Sequence, residues 1–521
     1  MDFFGDNTAQ HNLGQRSLKG GILSIGARLI MATVQASSVI ILARLLSPTD
    51  YGLVSMVIAV LGLAPLLMDL GTRDAVIQQS RISPPEMSAL FWITMAAGCI
   101  AAIVGMLSGP LLIHFYREPR LGGIALVFSL SMVPLALSYQ HQALLQRAMM
   151  YRDLALIDVV AGVVGTSVAI GMAAAGWGYW SLAFRSLIIY TVVAAGVWWR
   201  CPWIPGRPHF SSDVRSMIKF GLHCLGYTGA DFAGKFADRV AIGRMSGPLD
   251  LGFYQKACFL YENSLDLMTG PLRVVAMSGL SKLRGNTDVL WKSWSKALSA
   301  VAFLSMPAFG LLVITSQDMI VLFLGEKWRS ASVLLSIFAL AGIPEVIRRT
   351  CGWLHNAAGR SDRFMKWGVF ASIVQILALF IGLPFGVQGI AWALVASAYL
   401  LFLPAIAYSG QPFQIGVWSV VKVVGPQMVG ALLAVVLGLW LRTTLESAQV
   451  FLRIGILSFA YASVYLVIVL GVFRLREPLQ VGRSLVKAFA SQASGAANSK
   501  SASNQISPQA RETHGAKRAT I

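Results

Sequence analysis

Apolar runs of about 20 residues recur along this chain from position 20 to position 473. A helix of that length crosses a hydrocarbon core of about 30 Å. Fourteen such runs are legible: 20–43, 52–70, 88–113, 121–144, 154–175, 178–199, 216–243, 251–272, 294–324, 331–355, 364–383, 387–409, 416–441 and 450–473. Charged residues make up only 12% of the chain, about half the share in a soluble domain. The runs lack the two-residue alternation of a membrane barrel. They are therefore helices, which satisfy their backbone polar groups internally. The expected fold class is an all-α polytopic membrane protein with about 14 transmembrane helices.

The chain also repeats itself. Residues 44–52 read RLLSPTDYG and residues 244–252 read RMSGPLDLG, so Arg44, Pro48, Asp50 and Gly52 recur as Arg244, Pro248, Asp250 and Gly252. Arg73 and Arg273 keep the same spacing, and Ser108, Glu118 and Arg152 recur as Ser316, Glu326 and Arg360. Two copies of one unit follow: an N-lobe of spans 1–6 (20–200) and a C-lobe of spans 7–12 (216–409). The linker 201–215 joins them, and its CPWIPGRP carries three prolines that cannot continue a helix. Six spans per unit give both copies one orientation, hence two pseudo-symmetric six-helix lobes about an axis along the membrane normal. Spans 13 and 14 (416–473) are two C-terminal helices outside the duplication. Residues 1–19 read as a polar cytoplasmic segment with no cleavable signal, and residues 477–521 as a cytoplasmic, largely disordered tail.

Most of the 42 Lys and Arg residues fall on the tails and the even-numbered loops. The positive-inside rule then sets both termini in the cytoplasm. The net charge of +19 is dispersed over short loops beside anionic lipid, which excludes a nucleic-acid surface. The five cysteines (Cys99, Cys201, Cys224, Cys258 and Cys351) show no metal-ligand spacing and no pairing, and no cofactor or metal is expected. The repeated motif reads as a helix start: Ser47 as N-cap, Pro48 as first residue and Asp50 as the returning half of a capping box. Contacts between the two halves are its other reading. Ser83 and Glu86 form a second capping box.

The stretches ARLLSPTDYGLVSM, LGTRDAVIQ and RVVAMSGLSKL, with the twelve-plus-two layout, resemble the polysaccharide flippases of the multidrug/oligosaccharidyl-lipid/polysaccharide exporter superfamily. The branch most resembled exports exopolysaccharide or lipopolysaccharide repeat units. The resemblance covers roughly residues 15–480. It implies translocation of an undecaprenyl-pyrophosphate-linked oligosaccharide across the bacterial inner membrane, through a V-shaped alternating-access cavity between the lobes and with ion coupling. Implied partners are the lipid-linked oligosaccharide, membrane lipids and the polysaccharide polymerase and export machinery.

Charges within spans bear on that mechanism, because a charge at the bilayer centre costs about 2.5–3.5 kcal/mol on insertion scales. Span 7 holds Asp231, Lys235, Asp238 and Arg239, with positions 231, 235 and 238 on one helical face. Span 8 holds Lys256, Glu262 and Asp266. The repeat sets Gln35 of span 1 against Lys235 of span 7, so the corresponding faces of both lobes are polar. Arg28 and Arg185 add positive charge to the first lobe. Two readings stay open. Asp231 and Lys235 neutralise each other as a helical pair, or the charges line a cavity. In a cavity, Arg28, Arg185, Lys235, Arg239 and Lys256 are the cations for a pyrophosphate, and Asp231, Asp238, Glu262 and Asp266 the carboxylates for a driving ion. His223 is either a proton relay or an interior residue.

Other classes fit less well. A polytopic polymerase or ligase needs an extracytoplasmic acceptor site, and the expected outer loops are short and lack paired catalytic carboxylates. No Walker-type phosphate loop is present. A drug exporter of the same superfamily is the remaining alternative, against which stand the two extra spans and the several cations. The topology has a direct check: a reporter fused at residue 117 reads extracytoplasmic and one at residue 363 cytoplasmic, and the same side for both overturns it.

Overall fold

The computed structural model describes residues 33–69, 72–78, 82–209, 212–280, 287–358 and 361–475. Among these, every regular element is a helix and there is no strand. Ten helical stretches are long and apolar enough to cross a membrane, so the chain is a multi-pass membrane protein. One of the ten, Asp362–Phe413, contains two helices that meet at the tight turn Leu383–Phe385.

The first half comprises α1 (Thr33–Leu45), α2 (Pro48–Leu61), α3 (Ala64–Asp69), α4 (Thr72–Gln78), α5 (Pro84–Leu107), α6 (Gly109–Tyr116), α7 (Leu121–Leu130), α8 (Met132–Arg147), α9 (Tyr151–Ala174) and α10 (Trp180–Arg200). The second comprises α11 (Ser212–Leu280), α12 (Thr287–Leu324), α13 (Arg329–Ala358), α14 (Ser361–Gly382) and α15 (Gly386–Gly410), followed by α16 (Val417–Thr444) and α17 (Val450–Leu466). Both capping boxes form as the sequence spells them: Ser47 with Asp50 opens α2, and Ser83 with Glu86 opens α5.

Several spans that read as unbroken runs are segmented. The span 88–113 breaks at Ser108 and the span 121–144 at Ser131. Each serine hydroxyl donates back to a carbonyl three residues earlier, Gly105 at 2.7 Å and Phe128 at 2.6 Å, and such back-bonding bends helices. Spans 7 and 8 run together as α11, turned only at Gly247, whose φ of 81° and ψ of −176° are open to glycine. The second motif copy thus starts its helix by a glycine turn where the first uses a serine cap.

Prolines inside helices leave carbonyls without their usual donor, which hydrocarbon does not forgive. Tyrosines on neighbouring helices supply it. Pro344 frees the Leu340 carbonyl, which accepts from the Tyr399 hydroxyl at 3.0 Å. Pro307 frees the Phe303 carbonyl, which accepts from Tyr465 at 3.0 Å. The second bond also ties α17 to α12. At the other end of α12 a second tie forms: buried Asp318 pairs with Arg453, and Arg442 donates to the Ile314 carbonyl at 2.5 Å.

The packing divides unevenly. One core cluster draws on residues 76–214 alone and another on residues 265–469 alone, while the largest takes Leu53, Met56 and Val57 from the first half and Ile242, Leu251 and Tyr254 from the second. The two halves join there, where the motif copies meet. A Cβ on Gly52 would lie 1.7 Å from the Pro248 carbonyl oxygen, and one on Gly252 would lie 1.9 Å from that of Pro48. The copies therefore touch backbone to backbone, each glycine against the other's proline. Gly52→Ala and Gly252→Ala should each cost at least the roughly 1–3 kcal/mol of an overpacked core, read as a lower Tm in detergent. Gly171→Ala, where a Cβ meets nothing within 4 Å, serves as the control and should hold or raise Tm.

Candidate functional site

The second half of α11 carries charges on a face that α13 answers. Glu262 and Asp266 lie one turn apart, and both are largely exposed. Arg239, on the first half of α11, reaches Glu262 at 3.8 Å and lies over the Phe236 ring at 4.2 Å. Arg239 is itself buried, so its guanidinium is fixed by the ring on one side and offered to Glu262 on the other. Its neighbour Asp238 is held locally: its carboxylate accepts from the Tyr254 hydroxyl and from the Arg239 backbone N–H at 2.7 Å.

Asp266 is bonded to Arg349 of α13 at 2.5 Å. Arg349 also approaches Glu345 at 3.5 Å, and Arg348 grips the same carboxylate with two N–H bonds of 2.6 and 2.7 Å. A bidentate guanidinium–carboxylate pair is among the stronger polar contacts available. The network Asp266–Arg349–Glu345–Arg348 thus links α11 to α13 within the second half. Glu345, Arg348 and Arg349 were missed as site residues in the sequence. They lie inside the span 331–355 in the stretch IPEVIRR, where Glu and Arg three residues apart were the available signal. Asp318, Arg442 and Arg453 were missed likewise.

Lys256 and Arg185 form a second group. Lys256 is buried, with its ammonium 3.7 Å from the Tyr51 ring centre and 5.1 Å from that of Trp328. The two rings meet edge to face at 5.3 Å. The ammonium thus lies against a ring from each half, a cation–π arrangement that strengthens with desolvation. Arg185 donates to the Thr166 hydroxyl at 3.4 Å. Thr166 also lines a cleft of about 200 Å³ between α1 and α9, with Thr33, Ser37, Ser38 and Ser167.

The structure therefore brings together Arg239 with Glu262, and Asp266 with Arg349, while Lys256 and Arg185 stand apart at the junction of the halves. Arg28 lies outside the described residues. Asp231, Lys235 and His223 fall on α11, but their side chains are outside the described residues. Among the described residues no cluster of three or more His, Cys, Asp or Glu side chains is arranged to hold a metal.

A family model described as polysaccharide biosynthesis protein matches residues 41–333. The chain is similar to the lipopolysaccharide biosynthesis protein WzxC of Escherichia coli (strain K12), 24% identical over 71% of this chain and 76% of that protein. It is similar also to the succinoglycan biosynthesis transport protein ExoT of Rhizobium meliloti (strain 1021), 22% identical over 69% of this chain and 74% of that one. Among solved structures, the lipid II flippase MurJ in its inward closed conformation matches with a TM-score of 0.70 at 14% identity, covering 87% of this chain and 99% of the other. That likeness is one of fold.

The α11–α13 network makes a stability prediction. Glu345→Ala strands two guanidinium groups and should cost about 3–5 kcal/mol, the usual penalty for breaking a buried pair. The double variant Glu345→Ala, Arg348→Ala should cost less than the two single changes summed. Thermal unfolding of the purified protein in detergent reads both, and strict additivity would contradict the coupling.

Proposed function

The chain belongs to the polysaccharide biosynthesis protein family, and from that premise we propose that it translocates an undecaprenyl-pyrophosphate-linked oligosaccharide repeat unit across the bacterial inner membrane. The unit serves exopolysaccharide or lipopolysaccharide assembly, and the movement is by alternating access. One observation carries the reading: Glu262 and Asp266 are exposed carboxylates, beside the half-buried Arg349, on long helices of a membrane protein. Charge at that depth needs water. A water-filled cleft between the halves, away from the Gly52–Pro248 junction, supplies it.

The layout we infer is fourteen helices, in two six-helix lobes and two added C-terminal helices, with both termini cytoplasmic. The junction of the motif copies then faces outward, and the cleft opens to the cytoplasm, where a lipid-linked unit is built. Arg239 and Arg349, together with Arg28 and Lys235, attract the pyrophosphate. Glu262 and Asp266 already hold these guanidinium groups, so cargo phosphate competes with a carboxylate for the same donors. Protonation or cation binding at the displaced carboxylates couples an ion to cargo entry. Asp231 and Asp238 are further candidates for that ion.

Flipping breaks no covalent bond, so these groups act by attraction and solvation and none is a nucleophile. The partners in this reading are the lipid-linked unit, membrane lipids and the polymerase and export machinery that take the unit up outside.

The test is leaflet-resolved labelling of the lipid-linked unit in a deletion strain. Completed units should accumulate on the cytoplasmic leaflet and surface polymer should disappear. A polymerase would instead leave single units outside, and a ligase would leave finished polymer on its lipid. Lys235→Ala, Arg239→Ala should lower export at near-normal protein level, and unchanged export removes the cation role.

A further inference from the structure

The two halves close on each other through two equivalent clasps, and the clasps are unequal. In the first, Arg44 at the end of α1 donates to the carbonyls of Phe323 at 3.0 Å and Leu322 at 2.5 Å, at the end of α12. The turn that follows α12 answers. The Lys327 ammonium donates to the Arg44 carbonyl at 2.8 Å and the Trp328 indole N–H to the Ala43 carbonyl at 2.8 Å. Tyr51 and the Lys256 ammonium pack on the Trp328 ring from behind. Four hydrogen bonds, two rings and a buried cation thus hold this side.

The repeat identifies the counterpart. Arg244 stands for Arg44, and HFYRE at 114–118 stands for LFLGE at 322–326. Arg244 should therefore grip the end of α6. It lies instead with its guanidinium 5.9 Å from the Phe115 ring centre, and among the described residues no carbonyl accepts from it. The donors that answer on the first side are replaced here. Pro119 stands where Lys327 stands and has no ammonium to offer. Arg120 stands where Trp328 stands, and Glu118 holds it through two bonds of 2.8 and 3.0 Å. The same pairing holds the Glu118 carboxyl below the usual carboxylate range. Leu251 replaces Tyr51 and Met56 replaces Lys256, so the aromatic box has no equivalent. What remains is a cavity of about 660 Å³ lined by Ile113, His114, Phe115, Arg117, Pro119 and Arg244. Arg117 holds a left-handed backbone, φ 58°, at the end of α6.

We propose that the closed face opens at the Arg244 seam while the Arg44 clasp holds as the pivot, and that cargo leaves between α6 and α11. The inference rests on the translocation reading and adds the exit to it. The seam with fewer bonds parts at lower cost. His114, Arg117 and Arg244 then stand beside the path, and guanidinium groups suit the diphosphate of a lipid-linked sugar. Once outside, the headgroup passes from these groups to water, since none of them is buried deeply enough to retain it.

The test uses the whole protein in cells. A flexible, membrane-impermeant thiol cross-linker is applied to two cysteine pairs. Phe115→Cys with Met245→Cys spans the Arg244 seam, and Leu45→Cys with Glu326→Cys spans the Arg44 clasp. Each single variant controls for labelling alone. Linking the first pair should abolish export and leave units on the cytoplasmic leaflet, while linking the second should leave export near the uncross-linked level. The reverse pattern, or equal loss from both links, overturns the proposal. In the same strain, Arg117→Gln with Arg244→Gln should slow export several-fold, with Arg→Lys at both positions restoring most of it. Unchanged export in the Gln pair would remove the charge from the exit. Export that persists in the deletion strain would defeat the translocation reading itself, independently of either link.

Discussion

Two glycines set how closely the halves of this protein approach. With no Cβ, Gly52 lets the Pro248 carbonyl come to where a methyl group would stand, and Gly252 does the same for Pro48. Small residues are the usual means of bringing helices together in lipid, where no hydrophobic drive separates protein from solvent. The contact is reciprocal because the motif is duplicated, and that reciprocity fixes the geometry of the rest. The shared core cluster gathers round it, whereas the two other large clusters each keep to one half. Away from the junction each of those clusters is built by its own half, and Asp266 of α11 is bonded there to Arg349 of α13.

The same chain shows how polar groups are kept within lipid. Three charged groups on α11 have an answering group: Glu262 for Arg239, Arg349 for Asp266, two aromatic rings for Lys256. The carbonyls freed by Pro307 and Pro344 have tyrosine hydroxyls. Helices bent by proline keep their backbone satisfied only because a neighbour is near, so the bends and the packing depend on each other. This makes α12 a point of attachment. Asp318 and the Phe303 carbonyl lie fifteen residues apart, about 22 Å along a helix; the first fastens both α16 and α17 and the second fastens α17.

What the sequence disclosed, and what it did not, follows from how local each signal is. Both capping boxes were legible because Ser47 with Asp50, and Ser83 with Glu86, are three residues apart and need no partner elsewhere. The membrane helices were legible because length and composition alone decide insertion. The bends at Ser108 and Ser131 were not, since a serine within an apolar run bends a helix only when its hydroxyl turns back on the chain. The surroundings of Lys256 were hidden for another reason: Tyr51 and Trp328 come from distant parts of the chain, and only the closure of the halves sets them about one ammonium. Glu345, Arg348 and Arg349 were readable in principle from their three- and four-residue spacing, but their tie to Asp266 was not, because it joins positions 83 residues apart.

Duplication explains why the halves fit, and divergence explains how such a fit can still be undone. A closure built from two identical clasps would have no preferred place to part, because each side would cost the same to break. Here the substitutions that separate the copies fall on the residues that close the clasp. Trp328 and Lys327 donate across the junction; in the other copy Arg120 is turned onto Glu118 and a proline precedes it. The glycine contacts at the centre are common to both copies, and the difference lies to one side of them. In the proposed opening the Arg44 clasp is the pivot, so the Arg244 side moves furthest and the glycine pair, lying between, moves less. That is compatible with backbone contact, because atoms nearer an axis move less.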